Sequence, residues 1–409
     1  MASPKDNGIF RRNGINYLVP FVLITTLFFL WGFARAILDV LNKHFQNELS
    51  ISITQSSLIQ VTTYLGYFLM AIPAGLFINR YGYRRGVVFG LLLFGLGALA
   101  FVPAESGGFF AFVACLFVIG CGLTFLETAA NPYSTELGSP ETASSRLNLS
   151  QSFNGMGSLF ATFAIGQYLF NKVGNVTTPY LILGILVLGI AVVFSKVKLP
   201  EIINDDDNHD DGDDHDVEKL GGLSNIRELF SSHSMFVLGL FSLLAYEVAE
   251  ISINSYFINY VTGKGWMNDS VASIVLTIAL AFFMVGRFGG SWIMRRVSGE
   301  RMLLICAAGT VCCMILVLLN LGKLSMVALI GNYLFEAIMF PTIFSLALSG
   351  LGRLTKSASS LLMMTPVGGC GFLLMGYVAD QTNLTIPFII PLLGYSLILF
   401  YALRLQKTR

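Results

Sequence analysis

Apolar stretches of about twenty residues recur along this chain, the length that crosses a bilayer as a helix. Hydrocarbon offers no water to bond the backbone, so each such stretch has to satisfy its own amides and carbonyls as an α-helix. Twelve runs can be placed: 16–40, 53–78, 86–103, 109–134, 149–172, 178–198, 234–261, 270–294, 301–320, 325–350, 357–379 and 385–405. Composition agrees, because 55% of the 409 residues are hydrophobic and only 12% charged, where an ordinary soluble domain has about 25% charged. An all-α polytopic membrane protein embedded in the lipid bilayer is expected. The net charge of +1 gives no reason to expect nucleic-acid binding. The six Cys all fall inside apolar runs, in spacings that fit neither a disulfide framework nor a metal site, and read as small buried hydrophobes.

The run of helices divides six and six around a long polar segment. This gives a cytoplasmic tail at 1–15, a first bundle at 16–198, a linker at 199–232, a second bundle at 233–405 and a tail at 406–409. The N-terminal residues are too polar for a cleaved signal peptide, so the first run is expected to be a retained helix. Lys and Arg cluster in the tails and in alternate turns, including Arg80, Arg84, Arg85, Arg295, Arg296 and Arg301, whereas the other turns hold only Lys43, Lys172, Lys264 and Lys323. That bias places both termini in the cytoplasm. The basic turns 75–86 and 290–302 echo each other at equivalent places, which suggests a six-helix unit duplicated in parallel. Within the linker, the acidic run 201–219 reads as a solvated, self-repelling segment; its Asp and His residues are also metal-ligand types, though without regular ligand spacing.

The stretch Phe125–Gly157 carries polar chemistry where lipid-buried helix is otherwise expected. Glu127 sits mid-run with Asn131 one turn on, and Pro132 is expected to interrupt the backbone hydrogen-bond ladder. A polar loop containing Arg146 follows, and the next run opens with Asn148, Gln151 and Asn154. Such groups are expensive in hydrocarbon and face a protein interior or wet cavity. In the first helix Trp31, Arg35 and Asp39 recur every fourth residue and share a face. Arg35 and Asp39 can neutralise each other, or Asp39 can carry a proton while Arg35 turns elsewhere. In the second half Glu247, Glu250 and Asn254 form one stripe, and Asn332 with Glu336 another, against a single intrahelical cation, Arg287. Some of these acids must therefore be protonated or paired. Pro366 and the GGCG at 368–371 mark a bendable or closely packed site.

The chain contains no GxxxxGK loop, HExxH or GxSxG, and none of its four His is mid-helix. ATP coupling and intramembrane hydrolysis lose their usual machinery. What remains is secondary transport driven through buried carboxylates, with no enzymatic activity and no cofactor beyond a proton gradient. A non-transporting sensor using the acidic run is a third possibility.

The segments FFLWGF and LDVLNKHFQ in the first helix, YFLMAIPAG in the second, LETAANP in the fourth and RLNLSQSFN in the fifth resemble the fucose–galactose–glucose proton-symporter family of the major facilitator superfamily. AEISINSYFINY and IMFPTIFSLALSGLG extend the resemblance into the second half. It implies twelve transmembrane helices in two six-helix bundles, alternating access, and proton-coupled uptake of a monosaccharide. By motif, Asp39 and Glu127 would be proton-coupling acids. Glu127, Gln151 and Asn154 would bind sugar. Apart from the resemblance, the polar helix faces themselves make Trp31, Arg35, Asn131, Glu247, Glu250, Asn254 and Glu336 further candidate substrate contacts. The resemblance further implies a monomer in the cell inner membrane, with a small-molecule substrate and protons as its partners. Arg35, Asn79, Glu247 and Glu336 depart from the family pattern. The added charges leave open a carrier of a charged or zwitterionic metabolite, such as an amino sugar, a sugar acid or a chelator, working as importer or exporter.

Overall fold

The computed structural model describes residues 11–12, 15–137, 143–171, 175–197, 225–294, 296–351 and 354–407. The acidic run 201–219 lies outside them, as do the first ten residues. Apart from a two-stranded hairpin, β1 (Arg11–Arg12) with β2 (Ile15–Asn16), the fold is helical, and each of the expected runs contains helix. Nine helical stretches among the described residues are long and apolar enough to cross a bilayer. One of them, Tyr83–Asn131, has 49 residues, which as a straight helix would reach about 74 Å against a hydrocarbon core of about 30 Å. It therefore folds back through short turns at residues 101–107.

The helices fall into two compact units. The first holds α1 (Leu18–Leu49), α3 (Leu58–Tyr81), α4 (Tyr83–Leu99), α5 (Phe101–Ala104), α6 (Gly108–Glu136), α7 (Ala143–Phe160), α8 (Gly166–Asn171) and α9 (Thr177–Lys196). Here α1 packs on α7, α3 and α4 pack on α6, and α4 packs on α9. Lipid offers no hydrophobic drive between helices, so small residues that admit close backbone approach set these pairings. A Cβ on Gly32 would stand 1.9 Å from the Asn154 carbonyl, and one on Gly157 would stand 2.1 Å from that of Phe29. The Ser158 hydroxyl seals the same seam by donating to the Gly32 carbonyl at 3.1 Å. The outward face of α9 carries Ile182, Ile185, Leu186 and Val192, the surface a bilayer covers.

The second unit holds the short α2 (Ile53–Ser56), α10 (225–232), α11 (Ser234–Gly263), most of α12 (Asp269–Ile293), α13 (Gly299–Leu318), α14 (Lys323–Glu336), α15 (Met339–Leu348), α16 (Thr355–Leu362), α17 (Phe372–Gln381) and α18 (Ile389–Lys407). Residues 269–277 of α12 belong to the first unit. Between α16 and α17 the chain runs as a 3₁₀ helix, Thr365–Gly371, packed on α11. A Cβ on Gly368 would meet that of Glu247 at 2.8 Å, so this glycine segment is a close-packing device.

α6 runs on through Pro132 to Glu136. Proline removes one amide bond from the ladder, and the Ser134 hydroxyl bonds the Asn131 carbonyl locally. Arg146 is not in a loop: it lies in α7, is fully buried, and donates through Nε to the Ser134 carbonyl at 3.2 Å. That carbonyl sits in the last turn of α6, where the helix dipole favours a cation. Nor are all cysteines buried. Cys312 is exposed and Cys370 half-buried; Cys312 shares the outer face of α13 with Ile305, Ile315 and Leu319, which an apolar residue can do at no cost in lipid.

At one end of the second unit, the N-terminus of α2 is held by α17. Ser52 and Gln55 form a capping box. The Asp380 carboxylate then accepts from the Ile53 amide at 3.2 Å, the Thr54 amide at 2.8 Å and the Thr54 hydroxyl at 2.6 Å. The partial burial of Asp380 works to raise its pKa, but these Thr54 and Ile53 donors outweigh it and hold the carboxyl below its ordinary value. A depressed pKa contributes stability above the ordinary carboxylate range and loses it as the pH falls through the folded value. Asp380→Ala should therefore melt below the parent at neutral pH, with the gap narrowing in acid. A gap that stays constant into acid would contradict an ionised Asp380.

Candidate functional site

In the first unit, helical spacing brings Trp31, Arg35 and Asp39 to one face of α1, with Trp31 and Asp39 each 8% exposed. Two buried tyrosines of α3 fix that face. The Trp31 indole Nε1 donates to the Tyr67 hydroxyl at 2.7 Å, and the Arg35 Nε donates to the Tyr64 hydroxyl at 3.1 Å. The Arg35 guanidinium also lies 5.8 Å from the centre of the Tyr64 ring. Buried indole and guanidinium donors need acceptors, and a tyrosine supplies one at little cost in apolar surface.

Across from Trp31, α6 presents Glu127 and Asn131 one turn apart. A narrow recess of about 10 Å³, room for about one water molecule, is lined by Leu27, Phe28, Trp31, Leu126, Glu127, Ala130 and Asn131. The positive charge of Arg35 acts on Glu127, and both charges act on Tyr67. Gln151 of α7 joins through its Nε2, which reaches the Asn131 Oδ1 at 3.5 Å. Asn154 sits where α7 meets Gly32, its Nδ2 buried without a partner among the described residues. The fold thus gathers Trp31, Arg35, Glu127, Asn131 and Gln151 into one neighbourhood, with Asn154 on the adjoining seam. Asp39 lies one turn beyond Arg35 and does not line the recess. An aromatic face beside a carboxylate and amides can pack on an apolar ring while bonding several hydroxyls.

The second unit gathers a different set. Glu247, 4% exposed, Glu250 and Asn254 follow one another along α11, and the Asn254 Oδ1 is buried without a partner among the described residues. On α14, Asn332 and Glu336 are both fully buried, and Tyr395 of α18 completes a triad with them. Asn332 Nδ2 donates to Glu336 Oε2 at 2.7 Å, and the Tyr395 hydroxyl donates to the same oxygen at 2.5 Å. The Arg287 Nε donates to the Ala337 carbonyl at 3.3 Å, at the break between α14 and α15. Tyr64, Tyr67 and Tyr395 did not stand out in the sequence, where tyrosine reads as an ordinary apolar residue. Their spacing of three on α3 for the first two was the available signal. Among the described residues no group of three His, Cys, Asp or Glu could hold a metal ion.

Comparison with known proteins is concordant along the chain. Residues 24–370 match the model of the Major Facilitator Superfamily. The glucose/galactose transporter of Brucella abortus (strain 2308) is 35% identical over 411 residues, covering 96% of this chain and 95% of the relative. The L-fucose-proton symporter of Escherichia coli (strain K12) is 33% identical over 433 residues, covering 98% and 95%. The crystal structure of the transporter FucP in the outward conformation superposes with a TM-score of 0.70 at 32% identity, covering 94% of this chain and 98% of that one.

The Trp31–Tyr67 bond can be weighed by a double-mutant cycle. Tyr67→Phe leaves a buried indole donor without its acceptor, a loss of about 1–3 kcal/mol. Trp31→Phe in the same background should remove most of that loss, giving a coupling of about 0.5–3 kcal/mol in thermal or denaturant unfolding. Additive losses would show that the two side chains do not act as a pair.

Proposed function

The chain belongs to the major facilitator superfamily, and on that premise we propose that it is a secondary active transporter, not an enzyme, which takes up a monosaccharide together with protons by alternating access. The substrate class is a hexose or deoxyhexose. The observation that carries this reading is the recess bounded by Trp31, Glu127 and Asn131 and extended by Gln151. It offers an aromatic face, an anionic acceptor and amides that both donate and accept, the complement of a hydroxylated ring. The names of relatives similar over nearly the full length, a glucose/galactose transporter and an L-fucose-proton symporter, point the same way.

Asp39, 8% exposed on a membrane helix, takes and releases the coupling proton. Arg35 lies one turn away on the same face and bonds Tyr64. Protonation of Asp39 cancels its attraction for the guanidinium and frees Arg35 to favour Glu127 or an acceptor on the solute. This orders the events as proton first, then sugar. Glu127 takes part in both, since it borders the recess and feels the charge of Arg35. The protein works as a monomer in the cell inner membrane, with both termini cytoplasmic and twelve crossings. A second reading, a carrier of a charged or zwitterionic metabolite, is favoured by the acids gathered on α11 and α14. Competition of labelled D-galactose by neutral sugars, amino sugars and sugar acids separates the two.

Two outcomes are expected. Asp39→Asn should abolish accumulation of sugar against its gradient while leaving counterflow measurable; a variant that still concentrates sugar would remove Asp39 from coupling. Glu127→Ala or Gln151→Ala should weaken sugar binding by about 10- to 100-fold, the effect of deleting a buried hydrogen-bond partner worth about 1–3 kcal/mol. Unchanged affinity by calorimetry in both would take these residues out of the site.

A further inference from the structure

Glu336, like Glu247 and Glu250, has no task in the proton and sugar assignments. It ends α14, is fully buried, and its surroundings are specific. Among the described residues its two hydrogen bonds fall on one oxygen: Oε2 accepts from Asn332 Nδ2 at 2.7 Å and from the Tyr395 hydroxyl at 2.5 Å, while the other oxygen, Oε1, is buried with no partner among them. The two donors are neutral, and no cation bonds Glu336 among the described residues. The charged and titratable groups that bear on this place come from several elements. Glu250 on α11 acts on Glu336 directly. Tyr246, beside Glu247 on the same helix, feels Glu250, Glu336 and Glu247 together with the positive charge of Arg287 from α12. Cys313 of α13 also lies within reach of Glu336. The Arg287 Nε is committed to the Ala337 carbonyl.

An ionised Glu336 would hold a bare, desolvated oxygen in this setting, with Glu250 as a second acid nearby. Burying an uncompensated charge costs several kcal/mol, and a carboxyl escapes that by keeping its proton. The neutral acid matches the bond pattern, because its carbonyl oxygen can accept from both Asn332 and Tyr395 while the hydroxyl sits at Oε1.

We propose that Glu336 is a further proton-binding site of this protein, separate from Asp39 and Glu127, carried as the neutral acid with its proton on Oε1 and its Oε2 clamped by Tyr395 and Asn332. Loading forms an O–H bond at Oε1 with a proton drawn from water; unloading returns that proton to water and leaves a carboxylate, which Tyr395 and Asn332 then stabilise through Oε2. The role in coupled uptake rests on the carrier reading above, but proton binding itself does not. The test therefore uses no solute.

Infrared difference spectroscopy of the full-length protein in lipid, recorded across a pH titration, reads the carbonyl stretch of a protonated carboxylic acid. The parent should show such a band, and Glu336→Gln, which keeps shape and removes the proton site, should lose one component of it, leaving only what Asp39 and Glu127 contribute. Tyr395→Phe serves as a second variant that leaves Glu336 in place. Removing one of the two donors to Oε2 should shift both the frequency of the band and the pH at which it disappears. A parent spectrum indistinguishable from that of Glu336→Gln would overturn the proposal, and so would a band unaffected by Tyr395→Phe. Because no sugar is present, failure here leaves the sugar-uptake reading standing, and failure of sugar uptake leaves this site standing.

Discussion

A polar group inside hydrocarbon has to be met by another group of the protein, and this chain is arranged around the few places where that happens. Most of its helices are apolar on every side and could pack in many ways. Glycine seams such as Gly32 and Gly157 let α1 and α7 approach to backbone contact, and the buried polar side chains fix which faces turn inward. Trp31 and Arg35 each find a tyrosine hydroxyl on α3. Arg146 finds the carbonyl of Ser134 near the end of α6, and Arg287 finds that of Ala337 at a helix break. Each bond satisfies a group that would otherwise be costly, and each also pins one helix to another.

The same bonds prepare the chemistry. In the first unit the arrangement is a cation, two tyrosines and a carboxylate next to a small recess. The charge of Arg35 can be shared between neighbours without leaving the helix face. In the second unit the balance is different, with acids from α11 and α14 gathered near one intrahelical arginine. Two chemically unlike polar clusters, one in each unit, suit a carrier that must handle a proton and a hydroxylated solute in one cycle.

Much of this was legible in the sequence. Apolar run length gave the helices, because bilayer thickness and the 1.5 Å rise leave little freedom. Helical spacing placed Trp31, Arg35 and Asp39 together, and joined Asn332 to Glu336, which the 2.7 Å bond bears out. What was hidden depends on contacts distant in sequence. Tyr395 is 59 residues from the glutamate it bonds, and Tyr67 is 36 from Trp31. A tyrosine on an apolar helix carries no local mark of such a duty. The π-helical turn Ala161–Ile165 has no proline or glycine of its own to announce it. Arg146 misled because charge next to a polar segment reads as solvated, whereas α7 begins earlier than its first apolar residues suggest.

Sugar and proton movement being obligatorily linked is the claim on which the rest stands, and proteoliposomes containing the purified protein address it directly. With membrane potential clamped and no pH gradient imposed, an inward gradient of D-glucose, D-galactose or L-fucose should draw protons inward, seen as alkalinisation of the external medium that a protonophore abolishes. Sugar entering with no accompanying proton signal would contradict coupling, and no response to any of the three sugars would contradict the monosaccharide assignment.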